Sequence, residues 1–164
     1  MNIQKIHFLC AGGTIDKIYF DAKSDYQIGD PAVAQMLDEM PIHFDYQISS
    51  VMRKDSLDMD DEDRQAILEA VTKCEQQRII ITHGTDTMPD TARVLAKVPG
   101  KTIVLTGAMA PAIFRDTDAL FNLGCAISAV QTLNEGVYIA MNGEIFDALN
   151  VRKDVENERF VRLN

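Results

Sequence analysis

The sequence has no tryptophan, only three cysteines, and fewer basic than acidic residues, with 16 Lys and Arg against 25 Asp and Glu. The resulting formal net charge of −9 argues against binding to nucleic acid or to an anionic membrane, because both partners require a basic surface. The cysteines (Cys10, Cys74 and Cys125) lie in apolar surroundings without the spacing of a metal site. We therefore expect reduced thiols in a cytoplasmic protein.

Long hydrophobic runs are also missing. No run approaches the ~18 apolar residues of a membrane-spanning helix. The first apolar run, residues 6–10, is too short for a signal peptide and continues into a glycine turn. The composition, 46% hydrophobic and 25% charged, is typical of a globular protein. With no repeat and no internal boundary, we expect one domain over residues 1–164.

One stretch, residues 78–88 (R-I-I-I-T-H-G-T-D-T-M), changes from apolar to polar residues in its middle. Its β-branched apolar start is typical of a parallel strand that is covered on both faces. Six polar or glycine residues follow, and residues 89–96 then have helical composition. The polar cluster is therefore expected between a strand and a helix, where open α/β sheets bind ligands. A strand-to-helix turn alone needs a glycine and a cap, but not a histidine, two threonines and an aspartate together.

The rest of the chain alternates in the same way. Strands are expected over residues 3–10, 44–52, 79–82, 101–106 and 136–141, with a short additional one at 143–147. Helices are expected over residues 31–40, with Asp30 as cap, 60–74, 89–98 and 116–133. Residues 16–30 have no period and are expected to form a lid, and the charged tail from residue 151 is aperiodic.

This alternation predicts an α/β fold: a doubly wound, mainly parallel sheet with helices on both faces. In a flavodoxin-like strand order the first and third strands are neighbours. The turns at residues 12–14 (G-G-T) and 84–86 (G-T-D) would then face each other across a crevice.

The crevice would offer hydroxyls, a carboxylate, exposed backbone N–H groups and, if the tail folds back, a lysine. No Ser-His-Asp set is evident. We expect His7 to pack inside, His43 to be exposed and His83 to bond the backbone, so neither a metal nor another cofactor is expected. The acidic run at residues 58–63 is more simply a helix start than a cation site. A threonine hydroxyl becomes a nucleophile when a neighbour removes its proton, which a Thr–Asp–Lys relay could do.

Two motifs, A-G-G-T-I at residues 11–15 and I-T-H-G-T-D-T-M at 81–88, resemble the signatures of the L-asparaginases. The glutaminase-asparaginases and the asparaginase-like subunit of archaeal Glu-tRNA amidotransferase share these motifs. Four further similarities occur in the same order along the chain: S-D-Y-Q-I-G, D-S-L-D-M, T-G-A-M-A-P, and M-N-G-E-I-F-D followed by V-R-K. The resemblance covers essentially the whole chain.

The resemblance implies an amidohydrolase that converts L-asparagine, or a similar small amide, to the acid and ammonia. Thr14 would be the nucleophile that attacks the amide carbon, and Tyr26 on the lid would hydrogen-bond it. Thr85, Asp86 and Lys153 would form a second relay, which passes a proton to the leaving ammonia or activates the water.

The resemblance also implies the groups that hold the substrate. Backbone N–H groups near Gly13 and Thr85 would bind the oxyanion. Ser56 would bind the α-carboxylate of the substrate, and Asp86 its α-ammonium group.

Several features depart from the family pattern. We expect the smaller C-terminal domain of the family to be absent, and a homodimer or higher homo-oligomer to supply the missing contacts. Leu57, Ala110 and Ala119 replace, respectively, a common polar residue, a common arginine and a glycine. Two alternatives therefore stay open: hydrolysis of another small amide or lactam, and non-catalytic binding of Asn or Asp.

Overall fold

The computed structural model describes residues 5–163, which form ten strands, four α-helices and three short 3-10 turns. The strands are β1 (Ile6–Gly12), β2 (Lys17–Phe20), β3 (Asp25–Ile28), β4 (Tyr46–Lys54), β5 (Arg78–Thr82), β6 (Thr102–Thr106), β7 (Gly136–Met141), β8 (Glu144–Asp147), β9 (Arg152–Asp154) and β10 (Arg159–Val161). The helices are α1 (Ala32–Asp38), α2 (Asp61–Lys73), α3 (Met88–Leu95) and α4 (Ala119–Thr132).

The central sheet has six strands in the order β4-β1-β5-β6-β7-β8. The first five are parallel, and β8 joins the edge antiparallel to β7. Strand β1 lies between β4 and β5, so the predicted flavodoxin-like order is confirmed. The carboxyl ends of β1, β4 and β5 therefore meet at one edge, where their polar turns come together.

Helices cover both faces of this sheet, as the unbroken apolar strands predicted. Successive side chains of a strand point to opposite faces, so the adjacent isoleucines of β5 enter different cores. Ile79 and Ile81 pack with α2 and α3, whereas Ile80 packs with α1 and α4. All three are fully buried, which stabilises the fold by about 1.5–3 kcal/mol for each side chain.

Helix α1 does not begin as the sequence predicted. Pro31, and not Asp30, occupies the N-cap position, and the carboxylate that accepts the Ala32 N–H, at 2.8 Å, belongs to Asp16. Asp30 instead forms an exposed ion pair with Arg53 at 2.6 Å. The prediction was wrong because the carboxylate that caps the helix comes from a distant turn.

Two segments without a sequence period form hairpins. The expected lid consists of β2 and β3, paired antiparallel from Lys17 with Ile28 to Phe20 with Asp25, and we call residues 17–28 the lid hairpin. In the tail, β9 and β10 pair around a turn. Phe160 of β10 is only 3% exposed and lies 6.4 Å from the ring of Phe146, which docks the tail against the sheet.

The residues that the sequence analysis placed outside the site lie where it expected them. His7 is buried and hydrogen-bonded to the Ser49 hydroxyl at 2.8 Å, and His43 is exposed. The three cysteines are unpaired. Between residues 5 and 163, no helix combines the length and the apolar character needed to cross a lipid bilayer.

Candidate active site

The turn after β1 is held by the turns after β4 and β5. Gly13 has φ 92° and ψ 179°, a backbone conformation essentially restricted to glycine. A Cβ atom there would lie 2.4 Å from the backbone nitrogen of Gly84. The Gly13 N–H donates to the Lys54 carbonyl at 3.0 Å. The predicted approach of the two turns is therefore confirmed, and it fixes the half-buried Thr14, the first residue of a 3-10 turn.

Ser56 joins the turn after β4 to the start of α3. Its hydroxyl oxygen accepts the N–H of Thr87 at 3.1 Å, and its carbonyl accepts the Thr87 hydroxyl at 2.8 Å. Ser56 is fully buried, and it packs so closely on Gly84 that a Cβ there would be 2.8 Å from its side chain. In this structure Ser56 therefore holds the turn after β5 by its contacts with Gly84 and Thr87, and it is not accessible to solvent.

The tail hairpin brings a lysine to the two polar residues after β5. The Lys153 ammonium donates to the Thr85 hydroxyl at 2.8 Å and to the Asp86 carboxylate at 2.7 Å. The Lys153 side chain is 10% exposed and that of Asp86 33%, so the ammonium group is shielded while the carboxylate stays partly accessible to solvent. Charge-assisted bonds of this length fix the orientation of the hydroxyl.

His83 supports the site without facing it. Its Nδ1–H donates to the Gly84 carbonyl at 2.7 Å, and its Nε2 accepts the hydroxyl of Thr91 at 2.8 Å. Complete burial lowers the pKa of the imidazole to about 4, which keeps it neutral. The predicted backbone contact is confirmed, and the ring connects the turn after β5 to α3.

Asp16, two residues after Thr14, connects the turn after β1 to the lid hairpin. Its carbonyl accepts the Gly29 N–H at 2.8 Å, and its carboxylate accepts the N–H of Ala32. Burial raises the pKa of this carboxyl group to about 6, because the charged form is desolvated. The sequence assigned no such role to Asp16, since nothing local distinguishes it from other loop acids.

Tyr26 lies on the lid hairpin and is held by aromatic rings. Its ring centroid is 5.4 Å from that of Tyr19 and 5.7 Å from that of Phe114, both in edge-to-face geometry. The side chain is 43% exposed. Within residues 5–163, the structure has no hydrogen bond between Tyr26 and Thr14, so these two predicted site residues are not joined here.

Asp118 organises the turn after β6, and the sequence did not identify it. Its carboxylate accepts the N–H groups of Met109, at 3.0 Å to each oxygen, and of Ala110, at 3.1 Å. It also accepts the Asn122 amide at 2.9 Å. An aspartate before a helix signals a cap, and no sequence pattern indicates that it would hold a loop instead.

The chemistry of the site is that of hydroxyl, carboxylate and ammonium groups. In the part of the chain that the structure describes, no three His, Cys, Asp or Glu side chains are grouped so as to hold a metal ion. The arrangement combines two threonine hydroxyls on facing turns, an ammonium–carboxylate pair beside one of them, and glycine backbone at the point of contact. Such groups suit acyl transfer through a hydroxyl nucleophile.

Comparison with known proteins gives the family of this doubly wound domain. The model of the family "Asparaginase, N-terminal" matches residues 5–160. L-asparaginase 2 of Escherichia coli is 32% identical over 162 residues, which are 92% of this chain and 47% of that protein. The chain therefore belongs to the asparaginase family.

Solved structures agree with this assignment. The thermostable L-asparaginase from Thermococcus kodakarensis has a TM-score of 0.87 at 27% identity, over 98% of this chain and 51% of that one. L-asparaginase I from Vibrio cholerae has a TM-score of 0.84 at 25% identity, over 98% and 52% of the two chains. The chain thus spans about half the length of the relatives that it matches.

Proposed function

We propose that this chain carries the catalytic groups of an L-asparaginase-type amidohydrolase, which hydrolyses the side-chain amide of L-asparagine to L-aspartate and ammonia. The observation that carries the proposal is the pair of contacts from Lys153 to Thr85 and Asp86, across 68 and 67 residues of sequence. A solvated tail lysine would make neither contact. Membership of the asparaginase family supports the same reading.

In the proposed reaction the Thr14 hydroxyl oxygen attacks the amide carbon, and its proton passes to a neighbouring base. The C–N bond then breaks, the nitrogen leaves as ammonia after receiving a proton, and an ester joins Thr14 to the aspartyl group. Water activated through Thr85 and Lys153 attacks the ester, which releases L-aspartate and restores the hydroxyl. Tyr26, carried by the lid hairpin, would hydrogen-bond the Thr14 hydroxyl and help to activate it.

The substrate contacts need one revision. The Gly13 N–H already donates to Lys54, so we assign the oxyanion to the N–H groups of Thr14 and Thr85. Asp86 would bind the α-ammonium group. Ser56 is fully buried, so its contact with the α-carboxylate requires a local opening of the turn after β4.

The test is ammonia release from L-asparagine at neutral pH by the protein and its Thr14→Ala and Lys153→Met variants. Thr72→Ala and Lys73→Met are matched controls, because both residues lie on the exposed side of α2. We expect activity that both site variants lose by at least about 100-fold, as is usual when an acid–base group is removed, and that both controls keep. Activity that survives Thr14→Ala would contradict the mechanism.

One observation favours a second candidate, the hydrolysis of another small amide. Leu57, next to Ser56, is 70% exposed and offers an apolar surface beside the proposed carboxylate contact. Release of ammonia from L-glutamine or a blocked asparagine, but not from L-asparagine, would favour this candidate. If L-asparagine or L-aspartate raised the melting temperature without any turnover, the chain would instead be a binding module.

We also propose that the protein forms a homodimer or higher homo-oligomer and that it is located in the cytoplasm. Leu120 and Phe121 on α4 are 52% and 60% exposed, which supports a homodimer or higher homo-oligomer. The three unpaired cysteines support a cytoplasmic location. Light scattering of the purified protein tests the first proposal, and fractionation of cells that produce it tests the second.

A further inference from the structure

The lid hairpin has few anchors, although it carries a residue of the proposed mechanism. A two-stranded hairpin is marginally stable by itself in water. At its base, the Gly29 N–H donates to the Asp16 carbonyl at 2.8 Å, and Lys17 pairs with Asp55 at 3.4 Å. Ser24, at its far end, adopts a left-handed conformation with φ 49°. Away from the base, the placement of the hairpin must depend on side-chain contacts.

Phe114 supplies such a contact from outside the hairpin. Tyr19 faces Tyr26 across the β2–β3 ladder and therefore moves with it. Phe114 belongs to the turn after β6, and its ring lies 5.7 Å from that of Tyr26 with an interplanar angle of 76°. This edge-to-face pair links the lid tyrosine to the body of the domain.

The turn that carries Phe114 is fixed to the same structure as Thr14. The Ala112 N–H donates to the carbonyl of Ile15, the residue after Thr14, at 3.1 Å. The Phe114 N–H donates to the Pro111 carbonyl at 3.0 Å, and Asp118 clamps the beginning of the turn. Phe114 therefore has a defined position relative to the Thr14 turn. Its ring contact with Tyr26 then fixes the position of Tyr26 relative to the same turn.

We propose that Phe114 is a positioning residue that docks the lid hairpin by its edge-to-face contact with Tyr26 and so sets the tyrosine for its approach to Thr14. The catalytic part of this inference rests on the proposed function, whereas the docking part does not. An aromatic pair of this geometry favours the docked arrangement by about two- to tenfold.

Limited trypsin digestion measures docking without any catalysis. Lys23 is exposed in the turn of the lid hairpin, and a protease needs an extended segment, so cleavage after Lys23 reports the opened population. We expect Phe114→Ala to raise the rate of this cleavage, identified by fragment mass, about two- to tenfold. Phe114→Tyr keeps the ring and should restore the original rate. Leu149→Ala is the matched control, because Leu149 is also exposed but lies in the turn after β8.

A double-variant comparison separates positioning from general loosening. If Phe114 acts through Tyr26, Phe114→Ala should have no further effect on cleavage in a Tyr26→Ala background. In an active protein Phe114→Ala should also lower kcat about two- to tenfold while KM changes less than twofold, because Phe114 is not assigned a substrate contact. Phe114→Tyr should keep the original kcat.

The two proposals fail in different ways. If the parent protein releases no ammonia, the proposed function fails and the cleavage experiment alone decides the docking. Unchanged cleavage in Phe114→Ala, or an equal increase with and without the Tyr26 ring, would overturn the role of Phe114. Faster cleavage with unchanged kcat in an active protein would also overturn it as a positioning residue.

Discussion

Replacing Gly13 by alanine should disrupt the contact on which the candidate site is built. At φ 92° and ψ 179° a residue with a Cβ is strained by about 1–3 kcal/mol. The new methyl group would also lie 2.4 Å from the nitrogen and 2.6 Å from the Cα of Gly84. Since these are backbone atoms, no rotamer change can relieve the overlap, and forced overpacking costs about 1–3 kcal/mol more. We therefore expect a loss of about 2–6 kcal/mol in the free energy of unfolding.

Urea denaturation followed by circular dichroism measures this loss, as a lower midpoint with an unchanged slope. Gly100→Ala is the matched control, because Gly100 has φ 73° but nothing within 4 Å of the added methyl group. The control should lose only the backbone strain, about 1–2 kcal/mol. If Gly13→Ala were no more destabilising than Gly100→Ala, the close packing of the two turns would be refuted.

Two further predictions concern pH and have opposite signs. Because burial raises the pKa of Asp16 from 3.8 to about 6, its protonated form favours folding, and this contribution is complete below about pH 4 and lost as the pH rises through 6. Asp16→Asn should remove this dependence. Between pH 4 and pH 7.5, the free energy of unfolding of the variant relative to that of the parent should therefore rise by up to about 3 kcal/mol. An equal pH profile in both proteins would contradict the burial of charge at Asp16. Because burial lowers the pKa of His83 from 6.5 to about 4, its contribution is complete above pH 6.5 and is lost as the pH falls towards 4. In His83→Gln the loss of stability between pH 6.5 and 4 should be smaller than in the parent, by up to about 3 kcal/mol, and an equal loss in both proteins would show that His83 is not held neutral.

The order of the central elements could be predicted because each carries its own local signal. The isoleucines of β5 form a strand with both faces buried, and the acidic first turn of α2 favours the helix dipole. The two hairpins were missed as regular structure because a short strand without a buried face has no period to detect. In the tail, the sequence offered Phe160, Val161 and Leu163 for docking, and a few apolar side chains cannot specify a partner.

The sequence by itself determined the parallel, doubly wound sheet and the polar turns at its carboxyl edge, since apolar runs and glycine turns act within a few residues. By resemblance to the family motifs, it also indicated Thr14, Tyr26, Thr85, Asp86 and Lys153 as candidate site residues. Only the tertiary structure decided that Lys153 reaches Thr85 and Asp86, that the Gly13 N–H is already bonded to Lys54, and that the carboxylate capping α1 is that of Asp16. These contacts join residues from 16 to 68 positions apart, and such pairings depend on how the hairpins and turns pack rather than on any local preference.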